Sequence, residues 1–260
     1  MRYLAFAGFI VAALAPASGQ EKHSTGPDEA RKAVVAALEQ SKAKGGVLLK
    51  GHLDKKRPSE IEMGGIVLDV STGPEVQGDF TARLGKSGCA AVTFATEKVR
   101  YELFCLAGKK VHRLSWSEGG VPMPAEIAFD LSRLLRWDLV VKHLAEKKDF
   151  MELTDSTVDG VKCRVVKGAL ASALLARPEK GGADEKDDPW DWEVGSISGI
   201  FHVGREDKLI RRMEIKVTRQ FELDANQDPL ECVNQYVLTV QKYDPDLEVE
   251  VPAELGKLLH

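Results

Sequence analysis

The segment SISGIFHVGREDKLIRRMEIKVTRQF, residues 196–221, decides the fold. Its two arms are rich in apolar residues and meet at the charged stretch 206–208. In the second arm Met213, Ile215 and Val217 alternate with charged or polar residues, which is the period of a strand with one buried and one solvated face. The segment therefore predicts an antiparallel hairpin.

The same two-residue period recurs on both sides of this hairpin. It predicts further strands at 47–54, 60–71, 76–84, 89–95, 99–106, 111–116, 150–157, 161–167 and 230–242. In the last of these, Tyr236 and Leu238 point to one side. Consecutive half-solvated strands joined by short turns are typical of an antiparallel meander and not of a parallel β-α-β sheet. We expect an α+β fold built on one curved antiparallel sheet of about ten strands.

Two segments have helical periodicity instead. Residues 27–43 begin with Pro27 and two acidic residues and are followed by a Gly-Gly pair, which are helix start and stop signals. Residues 125–147 form the longest helical pattern, with a broad apolar stripe and charges on the remaining surface. The apolar face of a curved sheet has to be covered, and these two helices are the covers that the chain offers.

The N-terminus has the three parts of a secretory signal peptide. Arg2 supplies a positive charge, residues 4–14 are apolar, and small residues precede Gln20. The apolar run is too short to span a bilayer, so residues 1–19 are predicted to be a cleaved signal, with an uncleaved anchor as the alternative. Residues 20–260 are then one domain in the periplasm or secreted, without a further membrane span. The net charge of −4 offers no basic surface for nucleic acid.

The chain has four cysteines: Cys89, Cys105, Cys163 and Cys232. An even number in an exported protein favours disulfides. If Ala95 pairs with Val99 in the predicted hairpin, Cys89 lies directly opposite Cys105, within disulfide range. The first predicted disulfide is therefore Cys89–Cys105, and elimination leaves Cys163–Cys232 as the second.

Motifs for catalysis or metal binding are missing from the sequence. The six histidines do not have metal-ligand spacing, and no serine or cysteine lies in a nucleophile motif. Residues 224–228 resemble the start of a calcium loop, but Pro229 stands where that loop needs glycine, so a plain turn is the interpretation. The prediction is a protein without enzymatic activity, cofactor or metal.

The segment YDPDLEVEVPAE, residues 243–254, gives the last strand an aromatic-Asp stretch, an alternating apolar-acidic run and a Pro-acid step. With the order of elements and the strand at 209–217, it resembles the periplasmic lipoprotein-carrier superfamily of LolA-like and LppX-like proteins. The resemblance implies an unclosed β half-barrel whose concave face is covered by helices. It also implies an apolar cavity that holds acyl chains or another hydrophobic ligand.

The expected function is therefore binding or carriage of a lipid or a lipoprotein acyl chain between sheet and helices. The predicted ligand contacts are inward residues of the central helix and last strands, with two tryptophans at the rim. They are Ile127, Leu131, Leu134, Leu135, Met213, Ile215, Val217, Tyr236, Leu238, Trp190 and Trp192. The alternative is a structural or protein-interaction domain on the same scaffold whose core is filled by its own side chains. For the two tryptophans themselves, the alternative is that they anchor their loop to the sheet.

Overall fold

The computed structural model describes residues 26–56, 60–63, 66–69, 77–95, 100–105, 113–117, 125–176, 193–221 and 230–250. Its helices are α1 (Pro27–Ala43), α2 (Ala125–Leu134) and α3 (Trp137–Lys142), with short 3-10 turns at Lys147–Asp149 and Ser172–Leu174. Its strands are β1 (Gly46–Lys56), β2 (Glu60–Met63), β3 (Ile66–Asp69), β4 (Gly78–Leu84), β5 (Ala90–Ala95), β6 (Arg100–Cys105), β7 (Arg113–Ser117), β8 (Met151–Val158), β9 (Val161–Leu170), β10 (Glu193–Gly204), β11 (Ile210–Phe221) and β12 (Leu230–Asp244).

Ten of these strands form one antiparallel sheet. Their order is β7-β6-β5-β4-β1-β12-β11-β10-β9-β8, so the first and last strands of the chain meet in the middle and β7 and β8 form the two edges. The hairpin predicted at 196–221 is β10 paired with β11. The predicted α+β fold with a curved, unclosed sheet of about ten strands is confirmed.

One face of this sheet carries the main hydrophobic core. Leu53 of β1, Phe94 of β5 and Phe201 of β10 come from distant parts of the sheet and belong to one buried cluster with helix residues such as Leu38. The alternation of buried and exposed residues along β11 and β12 is the pattern of a sheet with one covered face. Helix α1 lies against β8–β11 and against α3.

The prediction of a single strand at 60–71 is wrong. Its residues contribute two short strands, β2 and β3, which pair with each other from Glu60 opposite Asp69 to Met63 opposite Ile66. This small sheet is separate from the ten-stranded one. Strand β4 then begins at Gly78, two residues later than predicted.

The predicted helix 125–147 is interrupted. Arg136 has backbone angles of φ −90° and ψ 89°, which are not helical, and it separates α2 from α3. The chain leaves α2 through a 3-10 turn, in which Arg136 N donates to Arg133 O, three residues earlier, at 3.1 Å. The break allows α2 to face the sheet while α3 packs against α1. A straight helix could not turn its apolar stripe towards both surfaces.

The predicted Cys89–Cys105 disulfide is also wrong, because all four cysteines are thiols in the structure. The β5–β6 register is shifted by one residue from the prediction: Arg100, not Val99, lies opposite Ala95, and Ala90 lies opposite Cys105. Successive residues of a strand point to opposite faces. Cys105 therefore belongs to the main core, whereas Cys89 packs on the other face against a small cluster around Phe104.

The predicted Cys163–Cys232 disulfide fails for a different reason. Cys163 lies opposite Gly204 of β10. Cys232 lies opposite Arg219 of β11, and Arg219 in turn lies opposite Val194 of β10. Ten residues of β10 separate the two levels, which is about 33 Å at the usual rise of a strand. The two cysteines thus lie at opposite ends of the sheet.

Alkylation of the unfolded protein without reductant should modify four thiols, because neither pair is placed to form a disulfide. Mass spectrometry of the intact chain measures the number of adducts, and a sample reduced before alkylation is the control. Equal masses are expected. A peptide linking Cys89 to Cys105 would show that the register differs from the one described here.

Gly51 occupies a position in β1 where the neighbouring strand leaves no room for a side chain. It lies opposite Phe80 of β4, and a Cβ added at Gly51 would overlap the Phe80 ring. That ring packs in turn against Phe94, with centroids 4.7 Å apart. Glycine here allows the two aromatic rings to fill the concave face across β1, β4 and β5.

Replacing Gly51 by alanine should lower the free energy of unfolding by about 1–3 kcal/mol, because Phe80 would have to move within a packed core. Urea unfolding measures the change. Gly195→Ala is the matched control in β10, since its added Cβ would approach only the flexible Gln220 side chain, at 3.2 Å. Equal stability of the two variants would contradict the close approach of Phe80.

Candidate functional site

The structure gathers the predicted apolar site residues on the concave face. Nine of the eleven lie in the described part of the chain, and all nine belong to one buried cluster. They are Ile127, Leu131, Leu134, Leu135, Met213, Ile215, Val217, Tyr236 and Leu238. On the strands they form rows, because Met213 lies opposite Leu238 and Ile215 opposite Tyr236. Each is at most 2% exposed, so in this structure they contact one another and not solvent.

The remaining two predicted residues, Trp190 and Trp192, lie outside the described residues, as do residues 1–19 and 224–228. A small depression lies between α1 and α3, lined by residues such as Leu38 and Trp137, with a volume of about 180 Å³. Ligand pockets usually have volumes of about 300–1,000 Å³. This depression is therefore too small to hold a lipid chain.

A charged residue of α2 enters the apolar core, which the sequence analysis missed. Asp130 is 0% exposed, and its carboxylate accepts hydrogen bonds from two neighbouring strands. Arg219 of β11 donates through Nη2 to Oδ1 at 2.5 Å, and the hydroxyl of Tyr236 on β12 donates to Oδ2 at 2.7 Å. These contacts fasten the middle of α2 to the middle of the sheet.

A second ion pair lies one helical turn away. Lys55 of β1 contacts Glu126 of α2 at 2.6 Å, and both side chains are about nine-tenths buried. Helix α2 is thus joined to three adjacent strands, β12, β11 and β1. We refer to Lys55, Glu126, Asp130, Arg219 and Tyr236 as the buried polar cluster.

The sequence does contain a signal for this cluster. Asp130 lies three residues after Ile127 and four before Leu134, so it falls within the apolar stripe and not opposite it. Arg219 continues the two-residue period of inward residues that includes Val217. A charged residue at an inward helical position and another at an inward strand position indicate a buried pair, because unpaired charges are rarely buried.

Burial acts on the protonation of Asp130 and Tyr236. It raises the pKa of the Asp130 carboxyl, against the opposing effect of Arg219 and of the two hydrogen bonds. Burial, followed by the nearby Asp130 charge, raises the pKa of Tyr236 well above its ordinary value. Tyr236 therefore stays protonated, and its hydroxyl donates a hydrogen bond to the Asp130 carboxylate. A buried ion pair of this kind contributes less to stability than well-packed apolar residues of the same volume, although breaking it is costly.

Helix α1 is held by different contacts. Near its N-terminus Arg31 donates to Ala145 O at 3.0 Å. Near its C-terminus Ser41 Oγ is hydrogen-bonded to the hydroxyl of Tyr243 of β12 at 3.0 Å, and that hydroxyl donates to Ile210 O at 2.5 Å. Ser41 Oγ also accepts from the backbone N–H of Ile210 at 2.9 Å. Both ends of α1 are therefore anchored. Helix α2 is linked to the sheet through Glu126 and Asp130, and near its C-terminus Arg133 donates to Leu174 O at 2.9 Å.

The outer face of the sheet carries a row with the composition of a hydrolase triad. His202 of β10 lies between the Ser156 hydroxyl, 2.8 Å from Nδ1, and the Glu214 carboxylate, 3.2 Å from Nε2. Burial lowers the pKa of His202, so the ring is neutral near pH 7. Arg212 extends the row, at 3.0 Å from Glu214. Such cross-strand polar pairs stabilise sheets, and we assign the row to that role.

Comparisons with known proteins gave matches among solved structures alone: neither a protein-family model nor a curated protein sequence matches the chain. LprF from Mycobacterium bovis matches with a TM-score of 0.45 and 16% identity, over 88% of this chain and 98% of LprF. The Mycobacterium tuberculosis lipoprotein LppX matches with a TM-score of 0.40 and 11% identity, over 85% and 99% of the two chains. A putative outer membrane lipoprotein-sorting protein domain from Vibrio parahaemolyticus matches with a TM-score of 0.23 and 10% identity, over 88% and 98%.

Replacing Arg219 by methionine should make stability depend on pH. Without its cation, the buried Asp130 carboxylate acquires a still higher pKa, so the folded state binds a proton more tightly than the unfolded chain. The variant should lose about 3–5 kcal/mol near neutral pH. Part of this loss should be recovered as the pH falls towards about 4, the ordinary pKa of an aspartate. Urea unfolding near pH 5 and near pH 7.5 measures the difference.

The control for this experiment is the double variant Asp130→Leu with Arg219→Met, which removes both charges. Its stability should not show the added pH dependence, because no buried carboxylate remains at this position. If the single variant lost the same stability at both pH values, Asp130 would not be the group that titrates.

Proposed function

We propose that this protein is an exported binding protein that holds the apolar part of a lipid, or of a lipoprotein acyl chain, between its curved sheet and α2. The observation that carries the proposal is an unclosed ten-stranded sheet whose apolar concave face is covered by helices. A covering helix can move as a unit, since its backbone hydrogen bonds are internal. A second sheet over the same face would leave less freedom to open.

Helix α2 is the element best suited to move. It is ten residues long and its break from α3 at Arg136 supplies a hinge position. Its contacts in the core are of two kinds. The polar contacts of Glu126 and Asp130 can be replaced by water when the helix swings outwards, whereas the apolar contacts of its buried leucine and isoleucine side chains would have to be replaced by the ligand. Helix α1, anchored at both ends, would remain in place and preserve the rest of the core.

Export of the protein to the periplasm or the exterior follows from the predicted signal peptide at residues 1–19. In the proposed role the protein is a carrier without catalytic activity, and its partner is a lipid or a lipidated protein. Its weakly negative net charge of −4 is consistent with this role and does not favour nucleic acid.

The second candidate function is a structural or interaction domain whose core is filled by its own side chains. It is favoured by the burial of the nine described site residues, none of which is more than 2% exposed. The two candidates differ in one respect. A carrier has to open α2 and exchange those contacts for a ligand, whereas a filled domain keeps them.

A fluorescent hydrocarbon, diphenylhexatriene, tests this difference. The purified protein should bind the probe, and Tyr236→Phe should bind it faster, because the variant loses the hydrogen bond to Asp130 while it keeps the apolar ring. A hydrogen bond to a charged group corresponds to about a tenfold change in rate if it breaks on opening. Stopped-flow fluorescence measures the rate of uptake, and organic extraction followed by mass spectrometry identifies any co-purified lipid.

Tyr243→Phe is the matched control, since it removes a tyrosine hydroxyl from the same strand that bonds Ser41 of α1 and not α2. Its uptake rate should equal that of the unmodified protein. Equal acceleration by both variants would contradict the assignment of α2 as the moving helix. Failure of every form to bind the probe or to retain lipid would favour the filled domain.

A further inference from the structure

Two buried hydrogen-bond donors beside the buried polar cluster have no protein acceptor within the described structure. They are Nη1 of Arg219 and Nδ2 of Asn234. Arg219 is 5% exposed and Asn234 is 0% exposed, so bulk water does not reach them. A buried donor without an acceptor destabilises a protein, and such groups in native structures call for an explanation. Two of them on one face indicate a place prepared for an acceptor.

The two donors are close neighbours in the sheet. Asn234 of β12 lies opposite Val217 of β11, and Arg219 is the next inward residue of β11, so the two side chains are diagonal neighbours. Side chains in this relation lie within reach of one another across a strand pair. Lys55 of β1 lies opposite Asn234 on its other side. The residues that carry the two donors are therefore adjacent on the inner face of the sheet, beside residues that contact α2.

We propose that Arg219 and Asn234 together bind an oxygen acceptor in the polar head of the ligand, a carboxylate or an ester or phosphate oxygen, while the apolar chain runs along β11 and β12. This inference rests on the proposed function and narrows the ligand from any hydrophobic molecule to an amphipathic lipid. It also fixes the direction in which that lipid lies.

The neighbouring surface supports this direction. From Arg219 the inward residues of β11 are Val217, Ile215 and Met213, all buried and apolar. The distance from Arg219 to Met213 is six residues, or about 20 Å of strand. Tyr236 and Leu238 of β12 flank the same path. An extended chain whose head meets Arg219 would lie along this path.

The charges in the region favour an acceptor over a cation. The carboxylates of Glu126 and Asp130 are already engaged by Lys55, by Nη2 of Arg219 and by Tyr236. The groups without an acceptor are both N–H donors, and one belongs to a guanidinium, which cannot lose its proton. A ligand oxygen can accept from both donors, whereas an ammonium head would bring further N–H donors to groups that already lack an acceptor.

Three probes with one fluorophore separate these possibilities. Diphenylhexatriene is a pure hydrocarbon, its propionic acid derivative carries a carboxylate, and its trimethylammonium derivative carries a cation. The carboxylate probe should bind about tenfold more tightly than the hydrocarbon, which corresponds to one hydrogen bond to a charged group. The cationic probe should bind more weakly than the hydrocarbon. Fluorescence titration of the full mature chain measures the three dissociation constants.

Asn234→Leu removes one donor and keeps a buried side chain of similar size. It should reduce about tenfold the ratio of the affinity for the carboxylate probe to the affinity for the hydrocarbon, because one of the two donors is gone. Arg219→Lys is the second variant, since it retains a cation for Asp130 and loses the guanidinium fork. It should reduce the same preference. Gln220→Leu is the control, because it removes an amide from β11 on the exposed side, where Gln220 contacts Glu231.

The outcomes separate this inference from the function on which it rests. Binding of all three probes with equal affinity would overturn the role of Arg219 and Asn234 and leave a general hydrophobic carrier. An unchanged carboxylate preference in both Asn234→Leu and Arg219→Lys would overturn it as well. Failure of all three probes to bind would reject the carrier function itself. A preference that is lost in both variants and kept in Gln220→Leu is the result we expect.

Discussion

The Asp130 carboxylate lies in an apolar core with no exposed surface, so it has to be neutralised and hydrogen-bonded from within the protein. Arg219 and Tyr236 meet this requirement from two adjacent strands, at 2.5 and 2.7 Å. The position of α2 follows from these contacts, because a shift of the helix by one turn would leave the carboxylate without donors. The break between α2 and α3 follows as well, since α3 must still pack against α1. The covering of the concave face is therefore set by one buried charge.

This arrangement connects the stability of the fold with its proposed function. Apolar packing alone would hold a helix over the sheet more firmly, whereas a buried ion pair gives a defined position at little net gain in stability. Helix α2 has both kinds of contact, so in the proposed role a ligand chain has to replace the apolar contacts of Ile127, Leu131 and Leu134 when the helix opens. The anchored helix α1 and the aromatic pair Phe80 and Phe94 keep the remaining core in place during such a movement. Stability and mobility are thus assigned to different parts of the same concave face.

Much of the fold could be predicted because it depends on local periodicity. Alternation in β10 and β11 gave the hairpin, and the helix signals around Pro27 gave α1 with its observed ends. The apolar site residues were also predictable, since residues of one period share a face wherever the strand lies. The buried polar cluster was missed because charged residues were assigned to the solvated side, although Asp130 and Arg219 fall at inward positions. Whether a charge is buried depends on a partner from a distant segment.

The sequence by itself determined most of the residues that form strands and helices and the apolar residues that point inwards, because these properties follow from spacings of a few residues. The tertiary structure decided everything that depends on alignment between segments. A shift of one residue in the β5–β6 register places Cys89 and Cys105 on opposite faces, and strand lengths place Cys163 and Cys232 at opposite ends of the sheet. Likewise, only the packing of α2 across β1, β11 and β12 brings Asp130 to Arg219. It also leaves one donor of Arg219 and one of Asn234 buried without an acceptor in the described structure. The energy differences that select one register or one helix position come from contacts between distant residues, and no local pattern contains them.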